Sequence, residues 1–354
     1  MKPGWIPHNK PCLNTSDAKS IETVIHSGWV AEGSVSRQFE SRVSFYLKQR
    51  YAQVTSSGTA ALHLALLALN LHKGDEVILS TYACTALLNA VNYVGAKPVL
   101  ADIDENHLGI SAGEIRKKIS RKTKAIIVHH AFGFPSDIKC IQSFGIPIIE
   151  DCAQSLGTEI QGRPAGSFGD ITVCSFYASK LMTTGYGGMI LTNQKKFSDR
   201  IFDLIHFDQR KDYKVRYNYS LSDISAALGL NQFKKLRGFV LRRQKIASHY
   251  LEALKFRPFY YWEGKKGDKP NYYRFPIGCL KPYSNLIRLF AKQKIQVISP
   301  IEPYQLLHRY LGFNKKNFPH AEAIAQTVIS LPLYPALSDL EVKKICRVLK
   351  EIKL

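Results

Sequence analysis

Three short segments hold residue types that could do chemistry together. Ser175-Phe176-Tyr177-Ala178-Ser179-Lys180 and Thr183-Thr184-Gly185-Tyr186-Gly187-Gly188 bracket a lysine with small, hydroxylated and glycine residues after an apolar run. Desolvation and neighbouring cations there favour the neutral amine, which can form a Schiff base with a carbonyl. The glycines let backbone approach a ligand closely. One lysine among many is usually solvated, so its surroundings decide. Ile148-Ile149-Glu150-Asp151-Cys152-Ala153-Gln154 sets an acid at the end of another apolar run. A buried carboxylate needs a cation or hydrogen-bond donors. A protonated pyridine nitrogen would serve Asp151, with Gln154 in reach of another edge of the same ring; an Asp capping the next helix is the plainer alternative. Ser56-Ser57-Gly58-Thr59-Ala60-Ala61-Leu62 opens a strongly apolar helical pattern. Free N–H groups and the helix dipole at such a start favour an anion, although the same residues also make an ordinary N-cap. Phosphate cradle, strand-end acid and lysine match the phosphate, pyridinium nitrogen and aldehyde of pyridoxal phosphate.

The elements that must position these residues are legible as alternation. Short Val- and Ile-rich runs at Val77–Ser80, Pro98–Ile103, Ala125–His130, Ile146–Asp151, Ile171–Phe176 and Met189–Thr192 read as strands covered on both faces. Helical patterns such as Thr59–Asn70 and Thr85–Val94 lie between them. The alternation predicts right-handed βαβ units and a mainly parallel sheet, with ligands bound beyond the carboxyl ends of the strands. A long helical pattern at about 221–255 precedes a polar stretch, Glu263–Pro270, and mixed strand and helix follow to the end. The expected division is a large domain over 1–240 and a smaller C-terminal α/β domain over 241–354.

Composition narrows the class. The 354 residues are 45% hydrophobic and 22% charged, as in ordinary globular proteins. No uninterrupted apolar stretch is long enough for a membrane span, and the start of the chain leads into no apolar signal segment. The seven cysteines form no CxxC pair, and Cys84, Cys140, Cys152 and Cys174 sit in or beside apolar runs, as buried free thiols do. A cytoplasmic location fits this usage, and no metal site is expected. The 49 Lys and Arg against 28 Asp and Glu give a net charge of +21. That excess favours an anionic partner, or marks only the solvated faces of a basic protein, densest at 207–216 and 234–245 and in the C-terminal third. No nucleic-acid-binding motif accompanies it.

These segments also carry a resemblance. Ser27-Gly28-Trp29, Gly74-Asp75-Glu76-Val77-Ile78, Gly95-Ala96-Lys97-Pro98-Val99, Asp102-Ile103-Asp104, Gly166-Ser167-Phe168-Gly169-Asp170, Tyr217-Asn218-Tyr219 and Ser330-Leu331-Pro332-Leu333-Tyr334-Pro335 join the three segments in order over nearly the whole chain. The sequence resembles the DegT/DnrJ/EryC1/StrS family of pyridoxal phosphate-dependent sugar aminotransferases. The resemblance implies an α/β, aspartate aminotransferase-like (type I) fold with a mainly parallel, seven-stranded-type sheet in its large domain. It implies that Lys180 is the Schiff-base lysine and proton shuttle, that Asp151 keeps the pyridine nitrogen protonated, and that Gln154 lies near the 3-oxygen. It casts Ser57, Gly58, Thr59 and Ser175 around the phosphate, Asn218 as a phosphate ligand from the second subunit of a homodimer, and Tyr82 as the ring stacked on the cofactor. His130 matches a family histidine, and Tyr186 stands where the family has an acid after the lysine. Ser220-Leu221 follow Tyr219 where the family often has Arg-Met. His308 and Tyr304 are further substrate candidates.

The reading that follows is an aminotransferase passing an amino group from L-glutamate (or glutamine) to a keto-sugar, nucleotide-linked by preference, through pyridoxal and pyridoxamine phosphate in turn. A keto-cyclitol is the alternative acceptor. A regulatory or scaffold protein that keeps the fold is the rival from another class, and a nucleic-acid binder comes after it.

Overall fold

The computed structural model describes residues 4–279 and 283–352. Its main sheet is built from β1 (Tyr51–Thr55), β2 (Glu76–Ser80), β3 (Lys97–Ala101), β4 (Thr123–His129) and β5 (Ile148–Asp151). After a short antiparallel hairpin of β6 (Glu159–Ile160) and β7 (Arg163–Pro164) come β8 (Ile171–Ser175) and β9 (Gly188–Thr192). The seven long strands lie in the order β1-β9-β8-β5-β4-β2-β3. All pairings are parallel except those of β9, which runs against both β8 and β1. Reversing that strand sets Gly188 opposite both Thr55 and Ser175. The carboxyl ends of the parallel strands and the start of β9 therefore share one edge.

The strands form because both faces can be covered. In β2 all five residues are buried; Val77 and Leu79 join the core on one face and Ile78 the core on the other. The first core receives helix Gly58–Ala68, whose sequence is apolar nearly all round and whose residues are mostly buried. The second receives Phe39, Val43 and Leu47 from helix Ser34–Leu47. The start of that helix is held from a distance. Asp223 accepts from the backbone N–H of Gly33, Val35 and Ser36 and from the Ser36 hydroxyl at 2.6–3.1 Å. A side chain at Gly33 would bring its Cβ within 2.9 Å of that carboxylate.

Helix Asp223–Leu254 runs unbroken past residue 240, so the expected domain boundary falls inside one rigid element. Beyond it, β10 (Tyr260–Tyr261), β11 (Phe275–Gly278) and β12 (Val328–Leu331) form a second, antiparallel sheet. The amino-terminal segment packs there, with Ile6 bridged to Ile295 and His8 Nε2 2.9 Å from Ser330 Oγ. Cys152 and Cys174 are buried free thiols as expected, but Cys140 is half-buried. Cys84 is exposed, because it caps helix Thr85–Tyr93 at the edge of a cavity instead of lying in a strand. Among the described residues no helix is long and apolar enough to cross a membrane.

Candidate active site

A cavity of about 270 Å³ opens at the shared strand edge. Its walls come from the start of helix Gly58–Ala68, the ends of β4, β5 and β8, and the loop between β8 and β9. At one wall, Ser57 caps the helix by accepting from Ala60 N–H at 3.1 Å, which leaves the amides of the first turn facing the cavity. Glycine is required here by proximity. A Cβ on Gly58 would lie 2.8 Å from Ser175 Cβ, and one on Gly188 would lie 2.5 Å from the Ser57 carbonyl oxygen. These contacts bring the Ser175 hydroxyl alongside the helix start, where Thr59 adds another. The result is an anion cradle of amides and hydroxyls.

Asp151 lies at the end of β5, 5% exposed, and its Oδ1 accepts from Ala153 N–H at 2.8 Å. Burial raises its pKa above the ordinary carboxylate value, a rise that this hydrogen bond and the Lys180 charge oppose. A cation placed against it would restore the ionised form. Gln154 uses its side-chain oxygen to accept from Phe132 N–H at 2.7 Å, so its amide N–H groups remain to donate. Lys180 follows β8 on a turn closed by its own N–H on the Tyr177 carbonyl, and its Nζ lies 5.5 Å from the centre of the Tyr273 ring. Asp151, Gln154, Ser175 and Lys180 thus face one cavity together with the helix start. Tyr186, 70% exposed, stands at the same cavity with its ring 5.2 Å from that of Tyr177.

Behind Asp151 its neighbour points the other way. Glu150 is fully buried and accepts from the backbone N–H of Gly166, Phe168 and Gly169 at 2.6–2.8 Å and from His130 Nε2 at 3.0 Å. His130 Nδ1 accepts from Ser136 N–H at 3.0 Å, so the ring carries its proton on Nε2. Burial alone would raise the Glu150 pKa, but the bonds to His130 and to the amides hold it below the ordinary value. His130, Glu150 and Cys152 are the one group of three potential metal ligands among the described residues. The glutamate oxygens, however, are already taken.

The family model of the DegT/DnrJ/EryC1/StrS aminotransferase family matches residues 11–350. The chain belongs to that family. Relatives include the GDP-perosamine synthases of Escherichia coli O157:H7, 33% identical, and of Vibrio cholerae, 31% identical, each alignment covering 98% of both chains. The putative sugar aminotransferase Spr1654 from Streptococcus pneumoniae, solved in pyridoxamine and pyridoxal phosphate forms, superposes with TM-scores of 0.91 and 0.90. It is 26% identical in the first of these, which covers 98% of this chain and 97% of that one.

As a DegT/DnrJ/EryC1/StrS protein, the chain is a pyridoxal phosphate-dependent aminotransferase. The cavity fits the cofactor on its own evidence: an amide cradle that side chains at positions 58 and 188 would disrupt, a buried carboxylate poised for a cation, and a lysine between them in reach of solvent.

Four sequence-derived candidates lie elsewhere, one of them Tyr304, which is 67% exposed and does not line the cavity. Tyr82 is wholly buried, edge-on to Phe132 at 6.0 Å, and does not line the cavity. Its strand-end position turns the ring into the core, and Cys84, Ala86 and Leu87 line the cavity from that segment instead. His308 is also wholly buried, bonded to Thr81 Oγ1 at 2.7 Å and to Glu322 at 2.8 Å and stacked on Phe318. It joins helices within the protein and offers no nitrogen to a substrate. Asn218 is exposed and outside this cavity. It sits between Tyr217 and Tyr219, whose stacked rings pack on His63 beside the cradle. Sequence reasoning passed over His129, Tyr177 and Tyr273. Tyr177 sits inside the quoted lysine segment and His129 beside His130, but Tyr273 reaches Lys180 only through tertiary packing.

Proposed function

We propose that this enzyme transfers an amino group from L-glutamate, or L-glutamine, to a keto-sugar carried on a nucleotide. The observation that carries the reading is the convergence on one cavity of the helix-start cradle, Asp151 and Lys180, in a chain whose relatives include GDP-perosamine synthases. A net charge of +21 suits a diphosphate-linked substrate.

Bound there, pyridoxal phosphate supplies an electron-withdrawing ring that accepts the electrons of a broken C–H bond at the amino-bearing carbon. The chain's own residues have distinct tasks. The amides of Gly58 and Thr59 with the hydroxyl of Ser175 would bind the phosphate, and Asp151 would hold a proton on the ring nitrogen. Gln154 would donate to the ring's oxygen substituent. Lys180 Nζ would hold the cofactor at rest and, once displaced, move a proton from the donor's amino-bearing carbon to the cofactor's aldehyde-derived carbon, and in the acceptor half move one the opposite way. Tyr177 and Tyr186 offer aromatic edges to an incoming sugar ring. A partner subunit would bring Asn218 to the phosphate and complete the site.

The test is the visible absorbance of the purified holoenzyme before and after L-glutamate. The expected result is loss of the cofactor's visible band in the wild type, its return with a keto-sugar nucleotide, and neither change in Lys180→Ala. A band indifferent to both glutamate and glutamine would overturn the donor assignment. A bleached enzyme that recovers with a free keto-cyclitol but with no nucleotide-linked sugar would overturn the acceptor.

A further inference from the structure

One basic stretch has no task in the site described above. Six of the nine residues 116–124 are lysine or arginine. Arg116, Lys117 and Lys118 stand in the last turn of helix Ala112–Lys118, where cations suit the carboxyl end of the helix dipole. Arg121, Lys122 and Lys124 lie beyond that helix, are exposed, and have no such local reason. Topology brings further cations to them. Residues 119–122 lead into β4, whose start lies beside that of β2, and Glu76 on β2 is in register with Thr123 on one side and Lys97 of β3 on the other. Glu76 N–H donates to the Lys122 carbonyl and Lys97 N–H to the Asp75 carbonyl, both at 2.8 Å, so the turn carrying Lys73 joins the same edge. This is the amino edge of the parallel strands. The cavity that holds Lys180 opens at their carboxyl edge, about 17 Å away along a five-residue strand, too far for these side chains to meet its substrate.

The acids near this edge are already used. The Ser120 hydroxyl at 2.6 Å and Lys97 at 3.1 Å both bond Glu76, and with the Lys122 charge they hold its pKa below the ordinary value. Glu114 pairs with Lys117 at 2.7 Å, and Asp75 accepts from His72 N–H at 2.8 Å. Among the described residues no carboxylate forms an ion pair with Lys73, Arg121, Lys122 or Lys124. Arg116 and Lys118 lie 5.5 and 5.8 Å from the ring centres of Phe144 and Phe318. Those two rings are therefore covered by cations, where a nucleic-acid strand needs open rings on which its bases stack. An aliphatic side chain does stand open: Ile119, 36% exposed, sits between Lys118 and Arg121. Unpaired cations around an exposed apolar residue suit the boundary of an anionic bilayer, which offers phosphates to the charges and an acyl layer to the apolar tip.

We propose that the amino edge carrying Lys73, Arg121, Lys122 and Lys124 docks the protein on a membrane surface rich in anionic phospholipid, with the cavity at the opposite edge left open to solvent. The attachment is peripheral and electrostatic, and it does not depend on which amino donor or keto-sugar the cavity takes.

The experiment is sedimentation of the holoenzyme with vesicles, either of phosphatidylcholine alone or of phosphatidylcholine and phosphatidylglycerol in equal parts. It is run at low ionic strength and again at about 1 M salt, where the screening length falls to about 3 Å. Two triple variants lose the same charge from exposed positions: Arg121→Gln, Lys122→Gln and Lys124→Gln at the edge, and Lys343→Gln, Arg347→Gln and Lys350→Gln on helix Asp339–Glu351. Wild type and the helix variant are expected to bind the anionic vesicles alone and to leave them in high salt. The edge variant is expected to partition about a hundredfold more weakly, since each basic residue at such a surface contributes roughly a fivefold factor. An unshifted melting temperature and a normal cofactor band verify the fold of both variants. Wild type that ignores the anionic vesicles overturns the proposal. Equal losses in the two variants overturn it as well, because net charge and not this edge would then be responsible. So does an oligonucleotide that wild type binds more tightly than the vesicles and the edge variant releases, which would assign the edge to nucleic acid.

Discussion

Asp151 illustrates how one residue can be costly to the fold and necessary to the chemistry. Its folded pKa lies above the ordinary 3.8 because burial penalises the charge more than the Ala153 amide and Lys180 favour it. The folded apoprotein therefore binds that proton more tightly than the unfolded chain does, and stability falls as pH rises between the two values. Asp151→Asn removes this cost, so its cofactor-free form is expected to melt above the wild-type apoprotein at pH 7. The same variant cannot hold a proton on the cofactor's ring nitrogen, and its glutamate half-reaction should slow by about 10²- to 10³-fold. Melting curves of the apoproteins and stopped-flow absorbance of the holoenzymes check the two halves. A variant no more stable than wild type without cofactor would show that the charge is not strained. Lys180, Asp151 and Gln154 were legible because each ends or follows a strand, where the chain itself dictates that side chains reach the ligand edge. Tyr82 and His308 were not. For Tyr82, just past a strand, and for His308, in the short helix Leu307–Tyr310, the choice between cavity and core depends on what packs against the ring, Phe132 in one case and Phe318 in the other.

Individual strands and loops are set by a few contacts between elements. The start of β9 passes so close to the start of helix Gly58–Ala68 that Gly188→Ala would force its Cβ to 2.5 Å from a backbone oxygen. Backbone cannot swing aside as a side chain can, so the expected cost is about 1–3 kcal/mol with reduced affinity for pyridoxal phosphate. Denaturant unfolding and cofactor titration measure the two effects. A second case is the loop 166–169, which turns three amides onto Glu150. The Glu150 pKa is held below the usual 4.5; its contribution is therefore fully present above that value and is lost as pH falls through the folded one. Glu150→Gln is expected to lose about 3–5 kcal/mol at pH 7, with the gap to wild type narrowing in acid. An equal gap at pH 7 and pH 3 would mean that the carboxylate's charge does not hold the loop. The parallel strands β2 to β5 and β8 were readable from continuous Val and Ile runs, with ends displaced by a residue or two. β1 was not, because Tyr51–Thr55 is only partly buried over its first three residues and includes Gln53. An edge strand covered on one side does not write a continuous apolar run.

At the scale of the whole molecule, the question is whether one chain makes a site. Part of the basic charge is engaged internally: Arg210, Lys214 and Arg216 all pair with Asp203 and hold its carboxyl well below the usual range. That cluster fixes the loop leading to Asn218, whose backbone is tied to the cradle by Ser56 N–H on the Tyr219 carbonyl at 2.6 Å. Asn218 nevertheless is exposed and does not line its own cavity, and exposed aromatic rings, Trp29 at 82% and Tyr213 at 95%, lie on the same chain. Both features are accounted for if two copies associate and each lends Asn218 to the other. Subunit complementation decides this. Lys180→Ala and Asn218→Ala, each nearly inactive alone, are unfolded together and refolded as a mixture. If Asn218 acts across the interface, half of the dimers are mixed, and each mixed dimer has one site with both lesions and one with neither, so about a quarter of wild-type activity should return. If Asn218 serves its own chain, every site in every dimer keeps a lesion and no activity appears. A chain that remains a monomer by light scattering at micromolar concentration would remove the shared site altogether, and Asn218 would then have to reach the phosphate by movement of its own loop.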